Sequence, residues 1–187
     1  DIASGKNIFS DEGNDSGFSE AFYHYVGGLQ KYTEQVMPMF APNVNSYRRF
    51  LADQATPTNL HWGIETRTVG LRIPDAPAVA KRVENRLPGA DANPYLAIAA
   101  TLICGYIGMM EKTQPSAETT HKANKERNDH IPRNIEASIE LMKNSEIIRE
   151  YLGETFVDGF LATRQAEYNN FKSVVTSWER HYLLTTV

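Results

Sequence analysis

One cysteine, Cys104, is all the thiol chemistry this 187-residue chain contains. That excludes an internal disulfide and fits a reducing compartment. Excess basic charge is also missing: 19 Lys and Arg stand against 23 Asp and Glu, a formal net charge of −4. Nucleic-acid binders carry a basic face, so no nucleic-acid partner is expected. The longest apolar run, Tyr95 to Met110, is interrupted by Gly105 and Gly108. It falls short of the roughly 20 residues a membrane span needs, so no membrane partner is expected. The opening DIASGKNIFSDEG has neither a basic start nor an apolar centre, which argues against a signal peptide and for a cytoplasmic location. His24, His121, His130 and His181 show no ligand spacing, and His61 reads as an ordinary strand histidine. Repeats and heptads are lacking. So is a starting Met, and the first residues read like a loop in mid-fold, which raises the expectation of a piece of a longer chain.

What is present is enough for a core. Hydrophobic residues make up 41% of the sequence, and the length suits one domain. The spacing of Phe22, Val26, Leu29, Thr33 and Val36 predicts a helix over 19–37, with Ser19 as N-cap and Pro38 just beyond. Alternating apolar residues predict a strand over 59–73, bulged near Gly70, and a second strand over 80–87. Asn93 and Pro94 open a helix that is apolar all round through Ile107, and is therefore expected to be buried, with Cys104 as inert core. Residues 113–129 read as an exposed loop. Three helices follow, over 134–142, from Ser145 to about Gly153, and over 155–175. Trp178 and Tyr182 are expected to pin the C-terminal turn to the body. Strands first and helices after indicate an α+β fold.

The stretch RVENRLPGADANPYLAIAA, residues 82–100, carries the chemistry. On a strand, Arg82, Glu84 and Arg86 share one face. Two readings are open. One is a solvated salt-bridge ladder. The other is a concave site in which Glu84 offers a hard oxygen to a divalent cation and the arginines clamp anionic groups. Further arginines, at 48, 49, 67 and 72, lie on otherwise apolar segments. Arginine grips carboxylate and phosphate with two parallel bonds, so the set favours chemistry on both groups. Arg67 and Arg72 differ in strand parity and share a face only if the bulge resets the register.

The motifs VNSYRRF, TRTVGLRIP and RVENRLPGADANPYLAIAA resemble three successive motifs of the glutamine synthetase catalytic domain. The family writes these approximately as NSYKR, NRSxxxRIP and RxExRxPxxxANPYLAxAA. GKNIFSDEG is similar to the segment after the family's His-x-His-Gln-Ser strand, and WERHYL to its C-terminal end. The resemblance implies that residues 1–187 are a C-terminal part of such a domain: antiparallel strands of a partial barrel packed with helices. It implies ATP and Mg2+ (or Mn2+) as cofactors, and glutamate and an amine as substrates, joined through γ-glutamyl phosphate. By residue, it implies Glu84 as a metal ligand, Arg49 and Arg86 as glutamate-binding, Arg67 at the transferred phosphoryl group, and Arg72 and Arg82 on the nucleotide side. Asn45 and Ser46 match positions that shape the arginine-bearing loop. The family also implies a homo-oligomeric ring with active sites between subunits, so this chain alone is expected to be inactive.

Two departures bear on the substrate. Ammonia-using members carry a glutamate shortly after the second arginine of NSYKR, a base for ammonium. Here its place falls near Ala55, with Asp53 displaced. PTNLHWG, by contrast, resembles members that attach glutamate to primary amines such as polyamines. Thr66 also stands where the family has Asn. The expectation is a γ-glutamyl–amine ligase, with an ammonia-using glutamine synthetase and a non-catalytic structural member as alternatives.

Overall fold

The computed structural model describes residues 1–50, 56–123, 126 and 130–186. Helix α1 (Glu20–Tyr32) starts where Ser19 accepts a hydrogen bond from the Phe22 N–H, as expected. It stops earlier than the apolar spacing indicated. Residues 33–36 tighten into a 3-10 turn, Met37–Phe40 form α2, and Val44–Phe50 form a second 3-10 segment carrying Arg48 and Arg49. Helix α3 (Pro94–Glu111) has Asn93 as its N-cap, accepting from the Tyr95 and Leu96 N–H groups.

Helices α1 and α3 pack along a glycine seam. A Cβ placed on Gly28 would sit 2.3 Å from the Cys104 carbonyl oxygen, and one on Gly108 would sit 2.3 Å from the Gly28 Cα. Gly105 lies under the Tyr25 ring, whose hydroxyl donates to the Thr101 carbonyl at 3.3 Å. The helices approach to backbone contact because neither presents a side chain at the crossing. This corrects the expectation that α3 is buried all round. Ala100, Cys104, Gly105, Ile107 and Gly108 are buried, whereas Tyr95, Ile98, Leu102, Tyr106 and Met110 are exposed. By length and composition alone α3 would pass for a membrane span, but its seam is packed on α1.

Among the described residues the sheet has three short strands: β1 (Trp62–Ile64), β2 (Leu71–Ile73) and β3 (Glu84–Asn85), in that order. The α+β class holds. The single strand expected over 59–73 is instead two three-residue strands that pair in parallel, Trp62 with Leu71, and only β2–β3 is antiparallel. The reason is Asn59, a fully buried polar side chain. Its Nδ2 donates to the carbonyls of Thr68 and Ala123, both at 3.1 Å, and of Glu126 at 3.4 Å; its Oδ1 accepts from the N–H groups of His61 and Gly70. These bonds fold residues 65–70 back over residue 59, so the chain re-enters beside its own start. Gly70 is required there, since a Cβ would lie 2.2 Å from the Asn59 carbonyl oxygen.

The segment 113–123 is irregular and mostly exposed, as expected, but it is tied down. The Thr119 N–H donates to the Trp62 carbonyl at 2.9 Å, the Trp62 indole N–H to the Ser116 carbonyl at 2.8 Å, and the Ser116 N–H to Gln30. This strap covers the outer edge of β1, where unpaired backbone groups would otherwise be left. Helices α4 (Ile135–Lys143), α5 (Glu146–Leu152) and α6 (Glu154–Lys172) follow, with Asn134 and Ser145 as caps and Gly153 ending α5 at φ +84°. The last helix, α7 (Ser177–Tyr182), pins nothing: Trp178 and Tyr182 are exposed and contact each other, their ring centroids 5.4 Å apart.

Two outcomes follow from this packing. Gly28→Ala forces the α1–α3 seam apart and costs about 3 kcal/mol, as overpacking does; thermal unfolding should shift down by roughly 6–12 °C for a domain of this size. Asn59→Ala strands the Gly70 N–H and several carbonyls without partners, at about 1–3 kcal/mol for each group left buried. Chemical denaturation should show that loss, and an unchanged midpoint would remove Asn59 from its place as organiser of the sheet.

Candidate active site

The register of the small sheet sets Arg72 on β2 directly across from Glu84 on β3. Arg72 Nη1 donates to Glu84 Oε2 at 2.5 Å. Arg86, two residues along, brings its Nε to 3.4 Å from Glu84 Oε1. Both carboxylate oxygens of Glu84 are therefore held by guanidiniums. The other edge of Arg72 is held as well: Nη2 lies 2.9 and 3.0 Å from the two oxygens of Glu65. Glu65 also accepts from the Asp75 N–H at 2.8 Å. The result is a chain of alternating charge, Glu65–Arg72–Glu84–Arg86, along one side of the sheet.

The electrostatics follow the contacts. The Glu84 carboxylate, then Glu65, raises the Arg72 pKa above its ordinary value. The Asp75 N–H, followed by Arg72, lowers that of Glu65. Glu84 and Glu65 are half open to water, while the Arg72 side chain is only 16% exposed. The guanidinium is thus the desolvated member, and it needs its carboxylates more than they need it.

Two more arginines are tied to the same segment. Arg86 Nη1 donates to the Arg67 carbonyl and, at 3.4 Å, to that of Val69, anchoring the turn that bears Arg67. Arg67 itself projects from that turn and is exposed. Because residue 67 lies in a turn, the strand-parity conflict with Arg72 does not arise. Arg49 reaches from the 3-10 segment to donate to the Leu87 carbonyl, next to Arg86, and lies over the Phe50 ring with 4.4 Å to its centroid. Burial pulls the Arg49 pKa down, against the nearby Asp91 carboxylate. Asp91 in turn accepts from Ser46 at 2.6 Å and Asn43 at 3.2 Å, so Ser46 does shape the arginine-bearing segment, while Asn45 is exposed. Tyr47 fixes the same segment to α4 through a 2.6 Å bond to Ser138.

Arg82 is set apart. The strand expected over 80–87 is only two residues long, and Arg82 precedes it. Asn7 holds the Lys81 carbonyl at 2.7 Å, and the Arg82 guanidinium, exposed, donates to the Ala80 carbonyl at 3.0 Å. The structure thus joins Arg72 and Arg86 on Glu84, ties the backbone of Arg67 to Arg86 and Arg49 to the neighbouring Leu87 carbonyl, and leaves Arg82 outside. It adds Glu65, which sequence reasoning missed. The only signal for it was a carboxylate seven residues before Arg72, which no strand or helix period connects. Ala55 and Asp53, at the position of the family's ammonium base, lie outside the described residues.

Among the described residues no group of three or more His, Cys, Asp or Glu side chains is placed to hold a metal ion. Glu84 offers one hard oxygen ligand, and a six-coordinate magnesium at that point needs others from elsewhere. The Nε atoms of Arg49 and Arg72 are shielded from water and donate to nothing. His61 and His121 both face Glu126, at 2.9 and 2.5 Å, away from this group of contacts.

Comparison with known proteins bears on the family. Residues 2–183 match the family described as "Glutamine synthetase, catalytic domain". The chain is 38% identical over 183 residues to type-1 glutamine synthetase 2 of Dictyostelium discoideum, covering 95% of this chain and 35% of that protein. It is 31% identical over 178 residues to glutamate–isopropylamine ligase of a Pseudomonas species, covering 94% and 39%. It superposes on a solved structure titled "Apo GmaS without ligand" with a TM-score of 0.83 at 31% identity, covering 95% and 41%. The chain therefore spans well under half the length of each of these proteins. Its sequence over 2–183 and its fold together place it in the glutamine synthetase family, within the catalytic domain.

Proposed function

We propose that this chain is the C-terminal part of the catalytic domain of a longer ATP-dependent ligase. That ligase joins the γ-carboxylate of glutamate to an amine through γ-glutamyl phosphate. The observation that carries the reading is the convergence of Arg72 and Arg86 on Glu84, with Arg49 tied to Leu87, next to Arg86. A surface ladder would not tie a half-buried guanidinium from a distant segment to the same few residues.

In this reading Arg49 and Arg86 hold glutamate. Arg67, exposed on the turn that Arg86 anchors, neutralises oxygens of the transferring phosphoryl group, where cationic donors contribute most. Arg72 serves the nucleotide from this group, and Arg82 from outside it. A divalent cation, Mg2+ or Mn2+, held partly by Glu84 would supply neutralisation of phosphate charge. The γ-carboxylate oxygen attacks the terminal phosphorus of ATP and ADP leaves. The amine nitrogen then attacks the acyl carbon, the C–O bond to phosphate breaks, and the nitrogen gives up a proton. Holding the two reactants in line is the larger part of what such a site contributes.

A primary amine or polyamine is the favoured acceptor. Supporting it are the absence of a carboxylate at Ala55 to deprotonate ammonium and the similarity to a protein named for isopropylamine. The second reading, ammonia as acceptor, draws on the higher identity to a protein named glutamine synthetase. A homo-oligomeric ring is part of the proposal for the intact protein.

With ATP, magnesium and glutamate, the intact protein should use putrescine or ethanolamine at least tenfold better than ammonia in kcat/KM. A preference for ammonia would replace the first acceptor with the second, and no phosphate release with any of them would remove the ligase reading. The 187-residue chain on its own should release no phosphate under the same conditions. In the intact protein Arg49→Ala should raise KM for glutamate by about tenfold or more, the loss of one charged hydrogen-bonding partner.

A further inference from the structure

Arg72 is held on two edges by two carboxylates of different kinds. Glu84 takes the Nη1 edge and is itself shared with Arg86. Glu65 takes the Nη2 edge with both oxygens, and is locked by the Asp75 N–H. Glu65 also has a backbone φ of +52°, the left-handed region that residues with a Cβ seldom adopt. Such a conformation persists where the surroundings fix it, and it clusters at functional sites. The Glu65 N–H donates to the Ile73 carbonyl of β2 at 2.9 Å, so the left-handed turn comes directly at the last ladder bond of β1. What it achieves is to turn the Glu65 side chain back toward β2 as β1 ends.

The two carboxylates hold Arg72 differently. Glu84 gives it one oxygen, is shared with Arg86 and, as a cation ligand, would spend lone pairs on the ion and loosen its hold on Arg72. Glu65 holds Arg72, whose side chain is only 16% exposed, with both oxygens, and keeps it charge-balanced and aimed.

We infer that Glu65 is a positioning residue for Arg72: it grips the Nη2 edge so that the Nη1 edge, now on Glu84, is the one presented to a nucleoside phosphate when Glu84 turns to a divalent cation. The inference rests on the ligase reading with Arg72 on the nucleotide side, and deepens it. Glu65 touches neither nucleotide nor cation; its effect passes through Arg72 alone. The planar fork of arginine makes this division workable, since one edge can be clamped while the other stays free.

The test is ADP binding by calorimetry to the intact protein, with magnesium, in wild type, Glu65→Gln, Arg72→Ala and the double variant. Glu65→Gln keeps shape and loses charge. It should weaken ADP about tenfold while leaving KM for glutamate within twofold, a split that general loosening of the fold would not give. Arg72→Ala should weaken ADP at least as much, and the double variant no further. Glu65→Asp, which keeps the carboxylate, should recover part of the loss. If Arg72→Ala weakens ADP but Glu65→Gln does not, or if the two losses add in full, the inference fails and the nucleotide reading of Arg72 stands. If Arg72→Ala leaves ADP binding unchanged, the nucleotide reading itself fails, and the role given to Glu65 with it.

Discussion

The cross-strand register that puts Arg72 opposite Glu84 decides where the other charges of the site can go. It spends one edge of Arg72 on Glu84 and leaves the other for Glu65. It brings Arg86 alongside the same carboxylate, and Arg86 in turn reaches back to the carbonyls of Arg67 and Val69. A guanidinium as little exposed as Arg72 is costly without partners. The network is therefore not decoration on the sheet. The sheet, only two residues wide at β3, is there to hold the network.

So small a sheet cannot hold its geometry alone. Three supports do it. Asn59 folds residues 65–70 into place with a buried set of hydrogen bonds. The 113–123 strap pairs with β1. On the far side, the 3-10 segment bearing Arg49 is fixed at three points, by Ser46 to Asp91, Tyr47 to Ser138 and Arg49 to Leu87. Beneath lies the glycine seam of α1 and α3, where two helices meet at backbone distance, joined to the sheet by Asn85 on Thr101 and by Trp62 on Phe22.

Much of this was legible in the sequence, for identifiable reasons. Helix starts are local events, so Ser19, Asn93, Asn134 and Ser145 could be read as caps or boundaries from their own chemistry. The residues of the network, Arg72, Glu84 and Arg86, stood out because charges on apolar segments are conspicuous. What failed depended on distant contacts. The 59–73 alternation looked like one strand because nothing in its pattern reveals that Asn59 will bond to Thr68 and Ala123. Arg82 shared a period with Glu84 and Arg86, but Asn7, far away in sequence, turns the chain before the strand begins. Glu65 was invisible because a left-handed residue in a turn obeys no period. The exposed stripe on α3 was missed because uniform apolarity says how greasy a helix is, not which side is covered.

We propose that Glu84 is a cation ligand, held by Arg72 and Arg86 before the ion arrives. Crystals of the intact protein grown with manganese and ADP would test it by anomalous scattering. A manganese peak at coordination distance from the Glu84 carboxylate is expected, with Arg72 still clasped by Glu65. Manganese bound elsewhere, with the Arg72–Glu84 pair intact, would contradict it.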